Sequence, residues 1–291
     1  MIIMRMKGGL GNQMFQYAFG RRLALERNVS LKLDLSWFES QQKREFQLDQ
    51  YQIQAGYATP QETYKLGHIF HYPLLRKAFS LYQLQLPYWK RRRIREENFR
   101  ITDLKYTQVP KHCVLEGYFQ SEKYFSPICQ LIKEELTPKA KYPESIQKQV
   151  GSLLADRLSV SIHVRRGDYL FAESGFQVCE LDYYLDAITH LHQRLGRLNL
   201  YIFSDDPDWV KTNLVSLKIE PINVRIINTG SDVLDIYYMS SCRHHIISNS
   251  SFGWWGSWLG EKADSLIIFP QKWFIDGTYP HDMIPDRWLR L

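Results

Sequence analysis

The chain has 291 residues, 44% hydrophobic and 23% charged, with a net charge of +6. That is the size and make-up of a globular protein with one large or two medium domains, and the positive balance favours an anionic partner: a nucleotide sugar, a nucleic acid or an acidic membrane surface. The four cysteines form no CxxC pattern, which argues against a zinc site or disulfide framework and fits a reducing compartment, and no apolar run approaches the length of a membrane span.

Ile2 to Met6 reads as a short first strand, and Lys7-Gly8-Gly9-Leu10-Gly11-Asn12-Gln13 as a glycine-rich turn. The start is too short and too soon charged for a signal peptide. Met14, Phe15, Tyr17, Ala18, Leu23 and Leu25 then recur at mainly helical spacing to Glu26; Asn28 ends the helix, and Leu31 to Leu35 is a second strand closing on Asp34. Strand, loop, helix and strand open a βαβ unit. Gly9-Leu10-Gly11 lacks the third glycine of a dinucleotide fingerprint, because Met14 stands there, and the Lys-Ser/Thr pair of a P-loop is missing too. The glycines read first as a tight turn that lets the helix pack close to the sheet. The sharper reading is close approach of backbone and Asn12 to a ligand.

Residues 36–110 are less periodic. The run Lys90-Arg91-Arg92-Arg93-Ile94-Arg95 reads as a solvated face, with binding to phosphates of nucleic acid or membrane as the sharper alternative. Val114-Leu115-Glu116-Gly117 and the residues after it return to strand then helix, with Ser121 as a cap. Thr137 to Pro143 is the expected link between domains at 1–142 and 143–291.

The second half alternates more cleanly. Strands are predicted at Leu158–Val164, Leu200–Phe203, Val224–Ile227, His245–Ser248 and Leu266–Phe269, and helices at Asp182–Leu195, Pro207–Leu214, Asp232–Ser241 and Gly253–Leu259. This is the pattern of a mostly parallel, doubly wound α/β sheet. The strands end in polar clusters: His163 to Asp168, Ser204-Asp205-Asp206, Asn228-Thr229-Gly230, and Ser248-Asn249-Ser250-Ser251. Ligands of such sheets bind outside the carboxyl ends of the strands. Arg165 and Arg166 therefore suggest a phosphate clamp more than a surface ion pair with Asp168. Ser250, Ser251 and Phe252 stand at a helix N-terminus suited to phosphate. Asp205 or Asp206 suits a guanine or ribose, and one of the two suits an N-cap.

Five blocks of the sequence resemble one family. Gly8 to Tyr17, Glu116 to Phe125, His163-Val164-Arg165-Arg166-Gly167-Asp168-Tyr169, Phe203-Ser204-Asp205-Asp206 and Ser248-Asn249-Ser250-Ser251-Phe252-Gly253-Trp254-Trp255 are similar, in order, to the bacterial α1,2-fucosyltransferases of glycosyltransferase family 11. The resemblance implies an α/β fold of GT-B type, two Rossmann-like domains facing across a cleft, the first for the acceptor and the second for GDP-β-L-fucose. It implies inverting transfer to the 2-hydroxyl of a terminal β-galactose, on an oligosaccharide or a lipid-linked glycan, with no essential metal and no cofactor beyond the GDP-fucose substrate. It implies a cytoplasmic location, with peripheral contact at the inner membrane allowed. Carried over, Arg165 holds the β-phosphate, and His163, Ser204, Asp205, Asp206, Asn249, Ser250, Ser251 and Phe252 line the donor site. Asn12 lies near the reacting centre, and Tyr118 and Gln120 on the acceptor side. Asp34, Glu116 and Asp168 are the candidate catalytic bases, Asp168 being read more readily as orienting the arginines; alternatively the departing phosphate takes the proton. Two other readings stay open: a metal-dependent sugar transferase using Asp205-Asp206 or Asp206-Pro207-Asp208, and a noncatalytic carbohydrate- or nucleotide-binding protein. Nucleic-acid binding finds no recognised module in the chain.

Overall fold

A computed structural model describes the chain except residues 41–42, 68–72, 97–107, 216–221 and 279–281. It divides into two compact units, 1–139 with 281–284, and 140–280 with 285–291. The return of 281–284 to the first unit has no sequence signal. It is a short excursion in which Met283 and Ile284 are buried, and Ser121 Oγ donates to the Asp282 carbonyl.

The first unit holds a five-stranded sheet of β1 (Ile2–Arg5), β2 (Leu31–Asp34), β3 (Gly56–Tyr57), β4 (Arg93–Arg95) and β5 (Cys113–Glu116), in the order β3-β2-β1-β5-β4. All pairings are parallel. β1 is central, and its Ile2-Ile3-Met4 run is buried, as a strand covered on both faces requires. Gly8 turns the chain at a φ of +82, after which helix Leu10–Arg27 runs back along the sheet. The helix ends where Asn28 adopts the left-handed conformation at φ 52, a role open to Asn because its short polar side chain tolerates it.

The second unit holds β6 (Ser159–Val164), β7 (Leu198–Ser204), β8 (Ile222–Ile227), β9 (His244–Ile246), β10 (Ile267–Phe269) and β11 (Leu289–Arg290), in the order β11-β10-β9-β6-β7-β8 and again all parallel. β6 is central and buried at every position. Val160, Ile162 and Val164 pack with Tyr184, Ile188 and Leu191 of helix Leu181–Leu195. Phe203 packs with Tyr238 and Met239 of helix Asp232–Ser241. The helices thus supply the two-sided cover that a doubly wound sheet needs. Because β6 to β9 are parallel, the four polar strand ends lie along one edge of the sheet.

Two expectations need correction. The Lys90–Arg95 run is not simply a solvated face: Arg93 to Arg95 form an edge strand, and Arg93 is 8% exposed. Nor does Ser121 cap a full helix. It caps a single 3-10 turn, Glu122–Tyr124, by accepting from the Lys123 N–H.

Candidate active site

The predicted site residues form one cluster in each unit. In the second unit the cluster grows out of β6. Past Val164 the chain leaves the sheet, and Arg165 comes to lie between two carboxylates, with Nη2 2.6 Å from Asp168 and Nη1 3.0 Å from Asp205. Its guanidinium is 5.5 Å from the centre of the Tyr169 ring. The Arg165 side chain retains 21% exposure, so it is oriented yet reachable. Burial opposes its charge, but Asp205 and Asp168 outweigh that and raise its pKa.

Arg166 is placed differently. Its N–H donates to Asp205 (2.9 Å), its Nε to Asp206 (3.2 Å), and its guanidinium lies over Trp209 at 4.4 Å. Asp206 also accepts from the Trp209 N–H as the N-cap of the helical turn Pro207–Val210. Both aspartates are therefore engaged by the arginine pair and by backbone. Gly167 makes the arrangement possible, because a Cβ there would overlap Asp205 Oδ2. Ser204 accepts from the Asp206 N–H at 2.9 Å and so fixes the same turn.

His163 is 5% exposed, and its Nδ1 shares a hydrogen bond with Ser248 Oγ at 2.8 Å. Burial, with Arg165 adding to it, pushes its pKa down to about 3, so the ring is neutral. It packs 5.4 Å from the ring of Phe252. A Cβ on Gly253 would come within 2.8 Å of His163 Nδ1, so the glycine lets helix Ser251–Gly260 seat against the histidine. Ser250 caps that helix through the Phe252 N–H. Ser251 and Phe252 are partly exposed at its N-terminus, where the helix dipole favours an anion.

Asn249 is a further correction. It is fully buried, its Nδ2 donates to the carbonyls of Gln177 (2.7 Å) and Trp273 (2.6 Å), and its Oδ1 accepts from Cys179 Sγ at 3.6 Å. The amide clasps loops and has nothing left for a donor. Asn249→Ala should cost about 2 kcal/mol of stability by stranding buried carbonyls. Urea unfolding would measure this, and GDP affinity of the folded fraction should be unchanged.

The neutral histidines have a consequence in acid. His245, whose Nδ1 shares a hydrogen bond with Ser161 Oγ (2.7 Å), is also lowered to about 3 by burial. A histidine held neutral in the fold contributes stability that is present above its unfolded pKa, and that contribution is lost as pH falls through the window between the two values. From pH 6.5 down to 5 each should cost about 2 kcal/mol. The urea midpoint should therefore drop well before carboxylates titrate, and a midpoint constant from pH 7 to 5 would contradict the neutral assignment.

In the first unit, Asn12 and Gln120 meet, Gln120 Nε2 donating to Asn12 Oδ1 at 2.7 Å. Gly8 allows Asn12 its place, since a Cβ there would come within 2.6 Å of Asn12 Nδ2. Tyr118 carries Lys7 Nζ 4.1 Å above its ring centre. The two candidate bases end β2 and β5, the strands on either side of β1, and are bridged by Arg5 at the end of β1, whose Nε is 3.1 Å from Asp34 and Nη1 2.5 Å from Glu116. Glu116 also pairs with Arg93 (2.7 Å) and Arg95 (2.9 Å). Burial alone would raise its pKa, but Arg93, Arg5 and Arg95 together hold it below the ordinary range. A carboxylate paired with three guanidiniums is a poor proton acceptor, which weighs against Glu116 as the base.

Sequence reasoning misses three groups here. Gln13 bonds the Gly8 and Glu45 carbonyls and the Gln47 N–H, and Gln16 bonds the Gly117 carbonyl and the Lys7 N–H, so these buried amides tie the loops around Asn12. Glu96 accepts from the Tyr118 N–H (2.7 Å) and the Phe119 N–H (3.0 Å). That clamps a turn in which Phe119 takes the strained φ of +52 just before Gln120. Lys7, with its pKa lowered chiefly by burial, completes the group. The only sequence signal is position: each follows a strand or lies in the first glycine-rich block.

The sequence matches the profile of Glycosyl transferase family 11 over residues 1–278. It is 32% identical over 296 residues to an Escherichia coli α-1,2-colitosyltransferase, covering 100% of this chain and 98% of that protein. It is 30% identical over 194 residues to a Caenorhabditis elegans galactoside 2-α-L-fucosyltransferase, covering 62% of this chain and 53% of that protein. Among solved structures it is similar to a point mutant of Arabidopsis thaliana FUT1 in complex with GDP, with a TM-score of 0.50 at 14% identity, over 91% of this chain and 70% of that one. That likeness is one of fold, the α/β GT-B type.

Proposed function

The chain belongs to glycosyl transferase family 11, and from that premise we propose that it transfers L-fucose from GDP-β-L-fucose to the 2-hydroxyl of a terminal β-galactose, with inversion and without a metal. The observation that carries the reading is Arg165, oriented by Asp168 and Asp205 at the carboxyl end of the central strand β6 and still reachable. Its planar fork suits a diphosphate, and charge develops on the leaving phosphate as the glycosidic bond breaks, so a fixed guanidinium there stabilises the transition state more than the ground state. The N-terminus of helix Ser251–Gly260, where the helix dipole favours negative charge, would take the other phosphate.

On the acceptor side we assign the paired Asn12 and Gln120, with Tyr118, to the galactose. Asp34 and Glu116 are tied to guanidiniums and Asp168 to Arg165. This favours a dissociative reaction in which the departing phosphate takes the proton from the acceptor hydroxyl. Asp205 and Asp206 being neutralised by the arginines favours metal independence over a carboxylate metal site. Full activity in EDTA is the expected result.

A second donor is favoured by the similarity to a colitosyltransferase along the whole chain. Colitose is fucose without its 3-hydroxyl. The test offers GDP-fucose and GDP-colitose separately with a small panel of β-galactosides, and reads linkage in the product by NMR. The proposal expects an α-fucosyl group on O2. Exclusive use of GDP-colitose would replace the donor, and linkage to another oxygen would overturn the assignment of the hydroxyl.

A further inference from the structure

Helix Pro73–Gln85 is built inside out. At about 100° per residue, Leu74, Ala78, Leu81 and Tyr82 share one face, and that face points to solvent: Leu74 is 82% exposed, Leu81 55% and Tyr82 56%. Gln83, on the opposite side, is 5% exposed. Apolar side chains this exposed and contiguous on a short helix mark a docking surface.

The basic run is fixed at the end of the same helix. Arg91 Nε donates to the Leu86 carbonyl and its Nη2 to the Leu84 carbonyl, each at 3.0 Å, and the Arg92 N–H donates to Gln83 Oε1 at 2.7 Å. Lys77 on the helix, and Lys90 and Arg92 beyond it, are exposed. Trp89, 57% exposed, stands in the chain between the helix and Lys90.

We propose that this surface docks on an anionic lipid bilayer, with the leucines in the headgroup boundary, Trp89 at the interface and the cations on lipid phosphates. Charge chooses this occupant. A second copy of the chain would bring the same basic margin against itself in a two-fold contact, whereas an anionic surface complements both the margin and the net charge of +6. No helix among the described residues is long and apolar enough to cross a membrane, so the contact is one of lying on the surface. It is independent of which sugar the enzyme transfers.

The test is co-sedimentation with phosphatidylcholine vesicles, with and without phosphatidylglycerol. Binding is expected only with phosphatidylglycerol, falling with added salt. Lys77→Gln and Lys90→Gln should each weaken it about fivefold, the value of one basic residue near a charged surface. Leu74→Ser with Leu81→Ser should abolish it at an unchanged thermal midpoint. Equal binding to both vesicle types, binding unaffected by these substitutions, or no binding at all would overturn the proposal. So would a concentration-dependent dimer that the paired serine variant dissolves, because the face would then belong to a second copy.

Discussion

Arg165→Ala should lower kcat by about 10²- to 10³-fold, the loss seen when a fixed donor to a developing anion is removed, while leaving the protein folded. The folding part follows from exposure. Asp168 is 57% exposed and stays solvated when the guanidinium is removed, and Asp205 keeps the Arg166 N–H. The catalytic part follows from geometry. Two carboxylates and the Tyr169 ring restrict the guanidinium, so it is already oriented when the substrate arrives. Arg165→Lys should recover little, because an ammonium on a flexible stem cannot reproduce the planar fork. Single-turnover kinetics with saturating GDP-fucose would measure the loss. Near-normal turnover with unchanged GDP affinity would remove Arg165 from the diphosphate.

Glu116→Ala should act on folding instead, costing about 3–5 kcal/mol, as expected when one partner of a buried charge network is deleted. Arg93 and Arg5 have side-chain exposures of 6% and 22%. Among the described residues, Arg93 Nε and Nη1 already lack a partner. Removing the carboxylate would leave these cations facing one another in a poorly hydrated strand end. Because the Glu116 pKa is lowered in the fold, its contribution is present above the unfolded carboxylate value and is lost as pH falls through the folded one. Urea unfolding of the variant at neutral pH tests the point. If Glu116 were the general base, stability would be kept and turnover lost.

These two residues also show what is legible in the sequence. The strands of the second unit are readable because β6, β7 and β8 are six or seven residues long and rich in Val, Ile, Leu and Phe, so period and polar termini both register. Their parallel order places Arg165 at an edge before any contact is known. The first unit is opaque where its strands are short. Gly56–Tyr57 has no periodicity, and Arg93–Arg95 hides one apolar residue in a run of cations. Glu116 looks like a base because it ends a strand. What neutralises it comes from Arg5 and Arg93, distant in sequence, and no local pattern reports such pairing. Asn249 misleads for a similar reason: a polar residue at a strand's carboxyl end resembles a ligand contact, and only its burial against Gln177 and Trp273 shows a loop clasp.

The central claim is that Arg165 reads the second phosphate of the nucleotide. Calorimetric titration of GDP and GMP into the wild-type protein and into Arg165→Ala tests it without any acceptor. The wild type is expected to prefer GDP and the variant to bind the two nearly alike, with GMP affinity little changed. A GDP preference that survives the substitution intact would contradict it.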